Sequence, residues 1–397
     1  MAVTLASADK ALKSVYLDVV ATQLDKYTNP LLSKIKYTTD NVYGKEVKQL
    51  VMPGINGGIG AGTEDGALPK SIPNNYVQFT STLKNLYGTI EISDKAIRAS
   101  QNNAGAFVNL LNAEMESLVK SSKWNFGRMI YGDGSGLLSY ITSANGTTLT
   151  LESVAAIYEG MLVDVVNQPG NEGNVPTIRG RKVLSVDREA KKIVIDGSAI
   201  VMGENIFSDS YIAIQGSDFK EITGLGALSK SYTSTLYGIN LEKNSWARSK
   251  CIEAPNSFSE LAMQKIIDKA EELTNNKFNL ILCSNATRRK ILKGFTAGKS
   301  YIVTEDFGYG FNAINFNGIP IVADRFCDDN VMYLLNTDDF AMHQLCDWQW
   351  LEDDKGAILK QVPGKATYTA TLVKYAELMC SNPGGQAYVD GLTAISE

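Results

Sequence analysis

Residues 41–93 restrict the possible folds of this 397-residue chain more than any other segment. Two apolar-rich flanks, KEVKQLVMP and YVQFTSTL, enclose a segment with six glycines and two prolines. In the second flank Val77, Phe79 and Leu83 share one face of an alternating strand, and the alternation continues to Ile92. The pattern predicts a long two-stranded ribbon with a loose tip. An isolated ribbon is marginally stable in water, so it needs a second surface, which could belong to another subunit.

A long amphipathic helix is predicted over residues 104–131. Its apolar side chains recur at spacings of three, four or eight residues and include Phe107, Leu111, Leu118 and Phe126. A helix of this length spans about 40 Å. We expect its apolar face to pack against the long alternating strand that the sequence ATYTATLVKYAELMC predicts near the C-terminus.

Several short sequences resemble functional motifs but lack essential parts. GDGSG, directly after the helix, has neither the paired acids nor the distal glutamate of a calcium loop, and a helix C-terminus repels phosphate. GINGGIGAG lacks the spacing of a dinucleotide-binding loop, and GFTAGKS is one residue short of a P-loop. No G-x-S-x-G is present. We therefore predict no catalytic residue, no cofactor and no metal site.

The composition is that of a globular protein. Charged residues make up 20% of the chain and the formal net charge is −5, which argues against tight wrapping of nucleic acid by the whole surface. No run approaches the roughly 20 apolar residues of a membrane span, and the N-terminus lacks the apolar core of a signal peptide. We expect a soluble protein that is made in the cytosol and contacts no membrane.

Histidine and cysteine usage gives a weak argument against an enzyme. His343 is the single histidine, whereas most general acid–base catalysis and most zinc sites use this residue type. We expect His343 to be structural. The five cysteines are scattered without a C-x-x-C pair, which predicts reduced and mostly buried thiols.

The remaining segments differ in character. Residues 1–40 are predicted to form an arm, with a helix over 7–24 that Asn29-Pro30 ends. Residues 145–216 contain short strands separated by turns, which indicates a small all-β insertion such as a barrel. Residues 256–340 alternate between helix and strand patterns. The arm and the ribbon cannot bury their apolar faces within one compact domain, so the sequence favours a subunit built for assembly.

The order of these parts resembles the major capsid proteins of tailed bacteriophages, whose fold is shared with herpesvirus capsid floors and encapsulin shells. Residues 41–93 look like the extended loop of this family, and residues 104–131 look like its spine helix. WNFGRMIYGDGSGLL is similar to the end of the spine helix and the acid–glycine turn after it. Residues 315–340, with the sequence GIPIVAD, resemble the axial-domain segment. TATLVKYAELMCSNPGGQAYVDGL resembles the closing strand of the peripheral domain.

The resemblance implies an α+β fold with six parts. In chain order these are an N-terminal arm (1–40), an extended β-hairpin loop (41–93), a peripheral domain with the spine helix (94–144), an inserted small all-β domain (145–216), an axial α/β domain (217–345), and closing strands of the peripheral domain (346–397).

The resemblance also implies a function. The chain would be a major capsid protein that self-assembles through pentamers and hexamers into an icosahedral shell around packaged double-stranded DNA. It would be made in the host cytoplasm and located in the virion, with portal and scaffolding proteins as partners. An encapsulin-like nanocompartment shell with protein cargo is the alternative. A soluble α/β enzyme is a more distant alternative from a different class.

We expect the ribbon to form an interface between subunits. We expect Val77, Phe79 and Leu83 to lie on a neighbouring subunit. Four glycines are expected to let the tip adapt to different surroundings. They are Gly57, Gly58, Gly60 and Gly62.

Lysines supply two further hypotheses. Four of them could face packaged DNA, or they could belong to a solvated arm: Lys10, Lys13, Lys34 and Lys36. Some members of the resembled family link a lysine of the extended loop to an asparagine near the C-terminus. Lys70 and Asn382 occupy the corresponding regions of this chain.

The predicted helix face has a direct test. Leu118→Asp is expected to prevent folding, because it places an unpaired charge against apolar neighbours and costs several kcal/mol. Circular dichroism and thermal unfolding of the purified variant measure this. A soluble variant with normal unfolding would show that the face is misassigned.

Overall fold

The computed structural model describes most of the chain. The described residues are 29–54, 56–95, 104–167, 178–203, 206, 210–229, 235–297, 303–308, 311–352 and 356–395. The fold is a mixed α/β architecture with few helices and many strands.

The helices of the described residues are mostly short. They are α1 Pro30–Lys34, α2 Ala104–Met129, α3 Leu225–Ser229, α4 Glu260–Thr274 and α5 Asn285–Ala297. Single 3₁₀ turns lie at Ser245–Ala247, Thr337–Asp339, Pro383–Gly385 and Leu392–Ala394. Within the described ranges, none of these helices has both the length and the apolar character needed to cross a membrane.

The strands carry most of the fold. They are β1 Lys36–Thr38, β2 Val42–Tyr43, β3 Glu46–Val51, β4 Val77–Thr82, β5 Lys84–Ser93, β6 Leu137–Asn145, β7 Thr148–Leu151, β8 Leu162–Val166, β9 Ile178–Asp187, β10 Lys192–Ile195, β11 Tyr211–Ile214, β12 Thr235–Leu236, β13 Ile239–Asn240, β14 Lys250–Glu253, β15 Leu280–Cys283, β16 Val303–Gly308, β17 Phe311–Phe316, β18 Ile319–Ala323, β19 Val331–Leu335, β20 Phe340–Trp350, β21 Lys360–Gln361, β22 Thr367–Cys380 and β23 Ala387–Asp390.

The long strand β22 organises a five-stranded sheet. β20, β21 and β5 all pair with it antiparallel, and β1 pairs with β20 in parallel. Helix α2 packs on β5, where a Cβ at Gly88 would come within 2.9 Å of Leu118 Cδ1. Leu118 is partly buried and Phe126 is fully buried in the same core. The side chains of Phe107 and Leu111 lie outside the described residues.

The ribbon is shorter than predicted. β3 and β4 pair antiparallel, with β2 beside β3, and residues 52–76 form the tip between them. The predicted ribbon ran on to residue 93, but β5 leaves it and takes ten register partners on β22. Leu86, Ile90 and Ile92 of β5 are buried in the main core. The apolar face of residues 84–93 is therefore covered by its own chain.

The inserted β module is a closed barrel of six strands, in the order β10-β7-β6-β11-β8-β9. It extends from Leu137 to Ile214, whereas the sequence indicated 145–216. The difference arises because β6 pairs with both β7 and β11 and so belongs wholly to the barrel. Its interior is a separate core of aliphatic side chains that includes Ile141, Val163 and Ile193.

A seven-stranded sheet has the order β14-β23-β19-β15-β18-β17-β16, and α4 and α5 pack in the core on one of its faces. Two predicted boundaries differ here. The axial domain was expected to end at residue 345, but β20 joins the five-stranded sheet from Phe340. The C-terminal residues were expected to stay with the peripheral domain, but β23 lies between β14 and β19.

The last part of the predicted arm belongs to the folded body. Asn29 begins helix α1, because its Oδ1 accepts hydrogen bonds from the N–H groups of Leu31 and Leu32. Its Nδ2 donates to the carbonyl of Gly127 at the end of α2, at 3.2 Å. Leu31 and Leu32 are fully buried. The predicted helix over 7–24 lies outside the described residues.

Residues 217–229, which we name the junction segment, return from the barrel beneath the C-terminal end of α2. The N–H of Leu225 donates to the carbonyl of Ile130 at 2.7 Å. A Cβ at Gly224 would come within 2.3 Å of the same Ile130 carbonyl oxygen. Only glycine permits this approach of two backbones, so Gly224 fixes where the junction segment crosses the helix.

Gly224→Ala is therefore expected to lower the free energy of unfolding by about 3 kcal/mol, the upper part of the range for overpacking. Gly62→Ala is the matched control, because the nearest atom to its added Cβ would be 3.8 Å away. The control should change stability by less than about 1 kcal/mol. Urea unfolding of dilute subunits compares the two variants. Equal midpoints for both would contradict the close approach at Gly224.

Candidate assembly surfaces

The ribbon and its tip carry an unusual concentration of exposed apolar side chains. In the described ranges 43–54 and 56–76, seven large apolar side chains are exposed, and Leu68 reaches 90% exposure. They are Tyr43, Leu50, Met52, Ile59, Leu68, Ile72 and Tyr76. Large exposed apolar patches on folded proteins mark interaction sites. This region is therefore the strongest candidate for an assembly surface.

The two faces of the ribbon differ in exposure. On β3, Val47 is buried, while Lys48 and Leu50 point to the opposite, exposed face. Leu50 pairs with Gln78 of β4, and both side chains are exposed. Because cross-strand partners share a face, the outward side of the ribbon combines apolar and polar groups. A second molecule could contact this side without disturbing the fold.

The tip is held by sparse local contacts. Asn56 Nδ2 donates to Asn74 Oδ1 at 2.8 Å, and Asn56 Oδ1 accepts from the N–H of Gly58 at 2.8 Å. The N–H of Gly66 donates to the carbonyl of Thr63. Within the described part of residues 52–76, no segment is assigned as helix or strand. Such a segment takes its shape from few bonds, so it can adapt to a surface that covers it.

Buried charges concentrate where the five-stranded sheet meets the junction segment. Arg128 of α2 forms an ion pair with Glu221, and both side chains are buried. The hydroxyl of Tyr131 donates to Asp324 Oδ2 at 3.1 Å. Burial raises the pKa of Asp324 to about 6. These groups lie inside the subunit, so they hold its parts together and do not form an assembly surface.

Lys374 is a fully buried cation in the same region. Its Nζ lies 2.6 Å from Asp347 Oδ1 and 3.1 Å from Gln344 Oε1. The rings of Phe126 and Trp348 lie within 6 Å of the ammonium group. Neither composition nor spacing distinguished this lysine from its solvated neighbours. Its position in the middle of the alternating C-terminal strand was the one available signal.

Comparison with known proteins identifies the fold. No protein-family model and no curated protein matches the chain. Among solved structures, a chain of the cyanophage A-1(L) capsid asymmetric unit has a TM-score of 0.53 at 14% identity, over 92% of this chain and 93% of that one. The chain has the phage major capsid fold. The resemblance drawn from the sequence is therefore confirmed for the fold.

Two further structures give lower scores. The holo-SrpI encapsulin complex from Synechococcus elongatus PCC 7942 has a TM-score of 0.49 at 9% identity, over 98% of this chain and 97% of that one. The capsid of a native GTA particle has a TM-score of 0.48 at 9% identity, over 93% and 90% of the two chains.

The prediction that Phe79 lies on a neighbouring subunit is wrong. Its ring is 1% exposed and stacks on Trp246 of the same chain, with centroids 5.9 Å apart. Alternation had assigned Phe79 to a face that lies on a neighbour. That face is instead turned inward, because the segment around Trp246 covers it. Val77 and Leu83 are partly buried, and Leu83 packs against the same core, so they offer less surface than predicted.

The other predicted interface residues lie at the surface. Of the four tip glycines, Gly57, Gly60 and Gly62 are exposed and Gly58 is partly so. None of the four has a positive φ; in this region that conformation occurs at Gly54, with φ +80°. The adaptation of the tip through these glycines stays a prediction.

The predicted DNA-facing and crosslinking residues are placed only in part. Lys10 and Lys13 lie outside the described residues. Lys34 and Lys36 are exposed, and the Lys34 ammonium lies 4.4 Å from the centre of the Phe307 ring. Lys70 is exposed at the tip.

Asn382, the predicted partner of Lys70, is exposed and caps a 3₁₀ turn through a hydrogen bond from Gly385 N–H to its Oδ1. Both the DNA-facing role and the crosslink remain predictions. In the described part of the chain, no group of three or more histidine, cysteine or acidic side chains could hold a metal ion.

The corrected position of Phe79 has a direct test. Phe79→Ala should lower the free energy of subunit unfolding by about 3–5 kcal/mol, because it empties a buried aromatic site. Tyr76→Ala, at an exposed neighbouring position, should leave the unfolding midpoint nearly unchanged. Guanidinium unfolding of unassembled subunits distinguishes the two. Normal stability of Phe79→Ala combined with failed assembly would restore the original interface assignment.

Proposed function

We propose that the chain is a coat subunit that self-assembles into an icosahedral shell enclosing packaged double-stranded DNA. It is made in the host cytoplasm and belongs to the virion. The observation that carries this proposal is the group of seven exposed apolar side chains on the ribbon and its tip. The phage major capsid fold, supported by the similarity to the cyanophage capsid chain, agrees with it.

The energetics favour a second copy as the cover for the ribbon. Burying one leucine side chain contributes about 1.5–3 kcal/mol, so Leu50, Ile59 and Leu68 together are worth several kcal/mol per contact. Contacts of this size are individually reversible, which allows errors to be corrected during growth. Many such contacts in a closed shell make the assembly persistent.

Pentamers and hexamers place one chain in several slightly different surroundings. The rigid sheets and barrel supply the constant part of each contact. The sparsely bonded tip supplies the variable part, since residues 52–76 are held mainly by local side-chain bonds. Portal and scaffolding proteins are the further partners that such a shell requires.

Weak contact with DNA fits the charge of the chain. Its net charge of −5 gives little general attraction for phosphate. Exposed lysines such as Lys34 and Lys36 supply local contacts only. A container that must be filled with DNA and later emptied benefits from this weakness, because each phosphate contact adds affinity.

Deleting Gly54 to Ile72 should leave folded subunits that form no stable particles. The deletion removes the exposed tip but keeps β3, β4 and their pairing. Negative-stain microscopy and sedimentation measure particle formation, and thermal unfolding checks the subunit. Leu68→Ser should weaken assembly in the same direction, while Glu64→Ser, at an exposed tip position with no assigned role, serves as its matched control.

The outcomes separate the competing functions. Normal particles from the deletion variant would refute the role of the tip. Particles isolated from the native source that contain a protein cargo in place of DNA would support an encapsulin-like compartment. A discrete small species under assembly conditions, with a turnover activity, would support the enzyme alternative.

A further inference from the structure

His343 and Glu377 are direct partners across two strands, and both are buried. The antiparallel register of β20 and β22 pairs His343 with Glu377. Their exposures are 3% and 0%. Side chains of directly opposed residues leave the same face of a sheet, with Cβ atoms about 4.5–5.5 Å apart. The imidazole and the carboxyl group are therefore neighbours in the interior.

The hydrogen bond of His343 shows which ring nitrogen carries the hydrogen in the neutral form. Nδ1 lies 2.9 Å from the backbone carbonyl oxygen of Asp40. A carbonyl oxygen only accepts hydrogen bonds, so Nδ1 carries a hydrogen. In the neutral ring, Nε2 is then an acceptor. Nε2 is buried, and no group in the described residues donates to it.

Glu377 also has a buried acceptor atom that makes no hydrogen bond to the described residues. Its Oε1 accepts a hydrogen bond from the N–H of Thr223 at 2.9 Å. Its Oε2 is buried and makes no hydrogen bond within the described part of the chain. The side chain of Thr223 lies near the carboxyl group and favours its ionised form. An unpaired buried acceptor costs about 1–3 kcal/mol. Two such acceptors therefore belong to directly opposed residues of adjacent strands.

The other ionisable groups around Glu377 do not resolve this mismatch. Lys84, whose register partner on β22 is Ala376, favours the ionised carboxylate from the neighbouring strand β5. Tyr237 also lies near the carboxyl group, and Cys380 lies beside Tyr237. Burial raises the pKa of both well above its ordinary value, so both stay neutral.

We propose that His343 and Glu377 bind one proton between Nε2 and Oε2. The proton is covalently attached to one atom and hydrogen-bonded to the other. The pair is then either a neutral acid beside a neutral imidazole, or a carboxylate beside an imidazolium. Its total charge is zero in both forms. One proton satisfies both buried acceptors.

The direction of the pKa shift supports this assignment. Burial raises the pKa of Glu377 from 4.5 to about 7. The folded chain therefore binds this proton more tightly than the unfolded chain does. The stability that the proton supplies increases as pH falls from about 7 towards 4.5, and it is lost as pH rises through 7.

The pair connects four segments of the subunit. His343 belongs to β20 and Glu377 to β22, and both strands pass here towards the seven-stranded sheet. Asp40 lies between β1 and β2, and Thr223 belongs to the junction segment. The bound proton therefore adjusts how firmly these four segments are held together. This inference concerns the single subunit and does not depend on the proposed shell function.

The first test measures unfolding by urea at pH 5.5 and pH 8.5. Glu377→Gln imitates the protonated acid, since its amide can donate to Nε2 and still accept from Thr223. At pH 8.5 the variant should unfold with an equilibrium constant at least about tenfold lower than the wild type, as expected for a shift of more than one pKa unit. At pH 5.5 the difference should be smaller, and it should vanish only below the unfolded-state pKa of 4.5.

Glu91→Gln is the matched control for this series. Glu91 is exposed on β5, so its variant should follow the wild type at both pH values. Equal pH dependence of the wild type and Glu377→Gln would overturn the proposal.

A second test observes the proton directly and needs no variant. His343 is the single histidine, so its ring nitrogens give the only imidazole signals in a ¹⁵N spectrum of unassembled subunits. At pH 6 the Nε2 signal should have the position of a protonated or strongly hydrogen-bonded nitrogen. It should move towards that of a free acceptor as pH rises through about 7.

An unchanged acceptor signal from pH 6 to 8.5 would overturn the proposal. That result would mean that a bound water donates to both atoms beside an ionised Glu377. In Glu377→Gln, the signal should stay constant over this range.

Discussion

The close backbone contact between the end of α2 and the junction segment determines how the rest of the molecule is arranged. The chain leaves the five-stranded sheet along α2, forms the barrel, and returns at almost the same point. Gly224 allows the return path to touch the Ile130 carbonyl, and the buried Arg128–Glu221 ion pair holds it there. The barrel is therefore attached through two adjacent connections and keeps a separate core. A module attached in this way can differ in size without altering the sheets.

Buried polar groups give this region one specific arrangement. Apolar packing alone tolerates sliding of one element over another, whereas Lys374 has few positions in which it meets both Asp347 and Gln344. Ion pairs of this kind add little net stability, because desolvation offsets most of the attraction. Removing one partner is nevertheless costly, since the other charge is left buried. Their contribution here is to define the relative positions of α2, β20 and β22.

The sequence predicts the long helix and the ribbon because their signals are local. Spacings of three and four residues over 26 residues leave little choice for α2. Alternation likewise indicates β4, but it defines two faces without saying which one is covered. Phe79 was assigned to the wrong partner for this reason, because Trp246 is distant in sequence. Asn29-Pro30 fits both a helix end and a helix start, and the hydrogen bonds from Leu31 and Leu32 to Asn29 show that it starts α1.

The domain limits were less predictable because they depend on pairing between distant segments. Nothing local in residues 84–93 indicates that β5 pairs with β22. The burial of Glu377 and Lys374 was unpredictable for the same reason. A charged residue in an alternating strand is normally assigned to solvent, and only the segments packed over it show otherwise. The sequence indicates which segment forms the assembly surface, but only the structure shows which of its side chains are exposed.

The pairing of β5 with β22 also has a consequence for synthesis. Residues 84–93 acquire their partner only when residues 367–376 have left the ribosome, nearly 300 residues later. Pairing of such high contact order is slow and exposes unpaired strand edges while it is incomplete. The five-stranded sheet thus cannot close until both of these segments have been made. During that interval the unpaired edge of β5 is open to association with other chains.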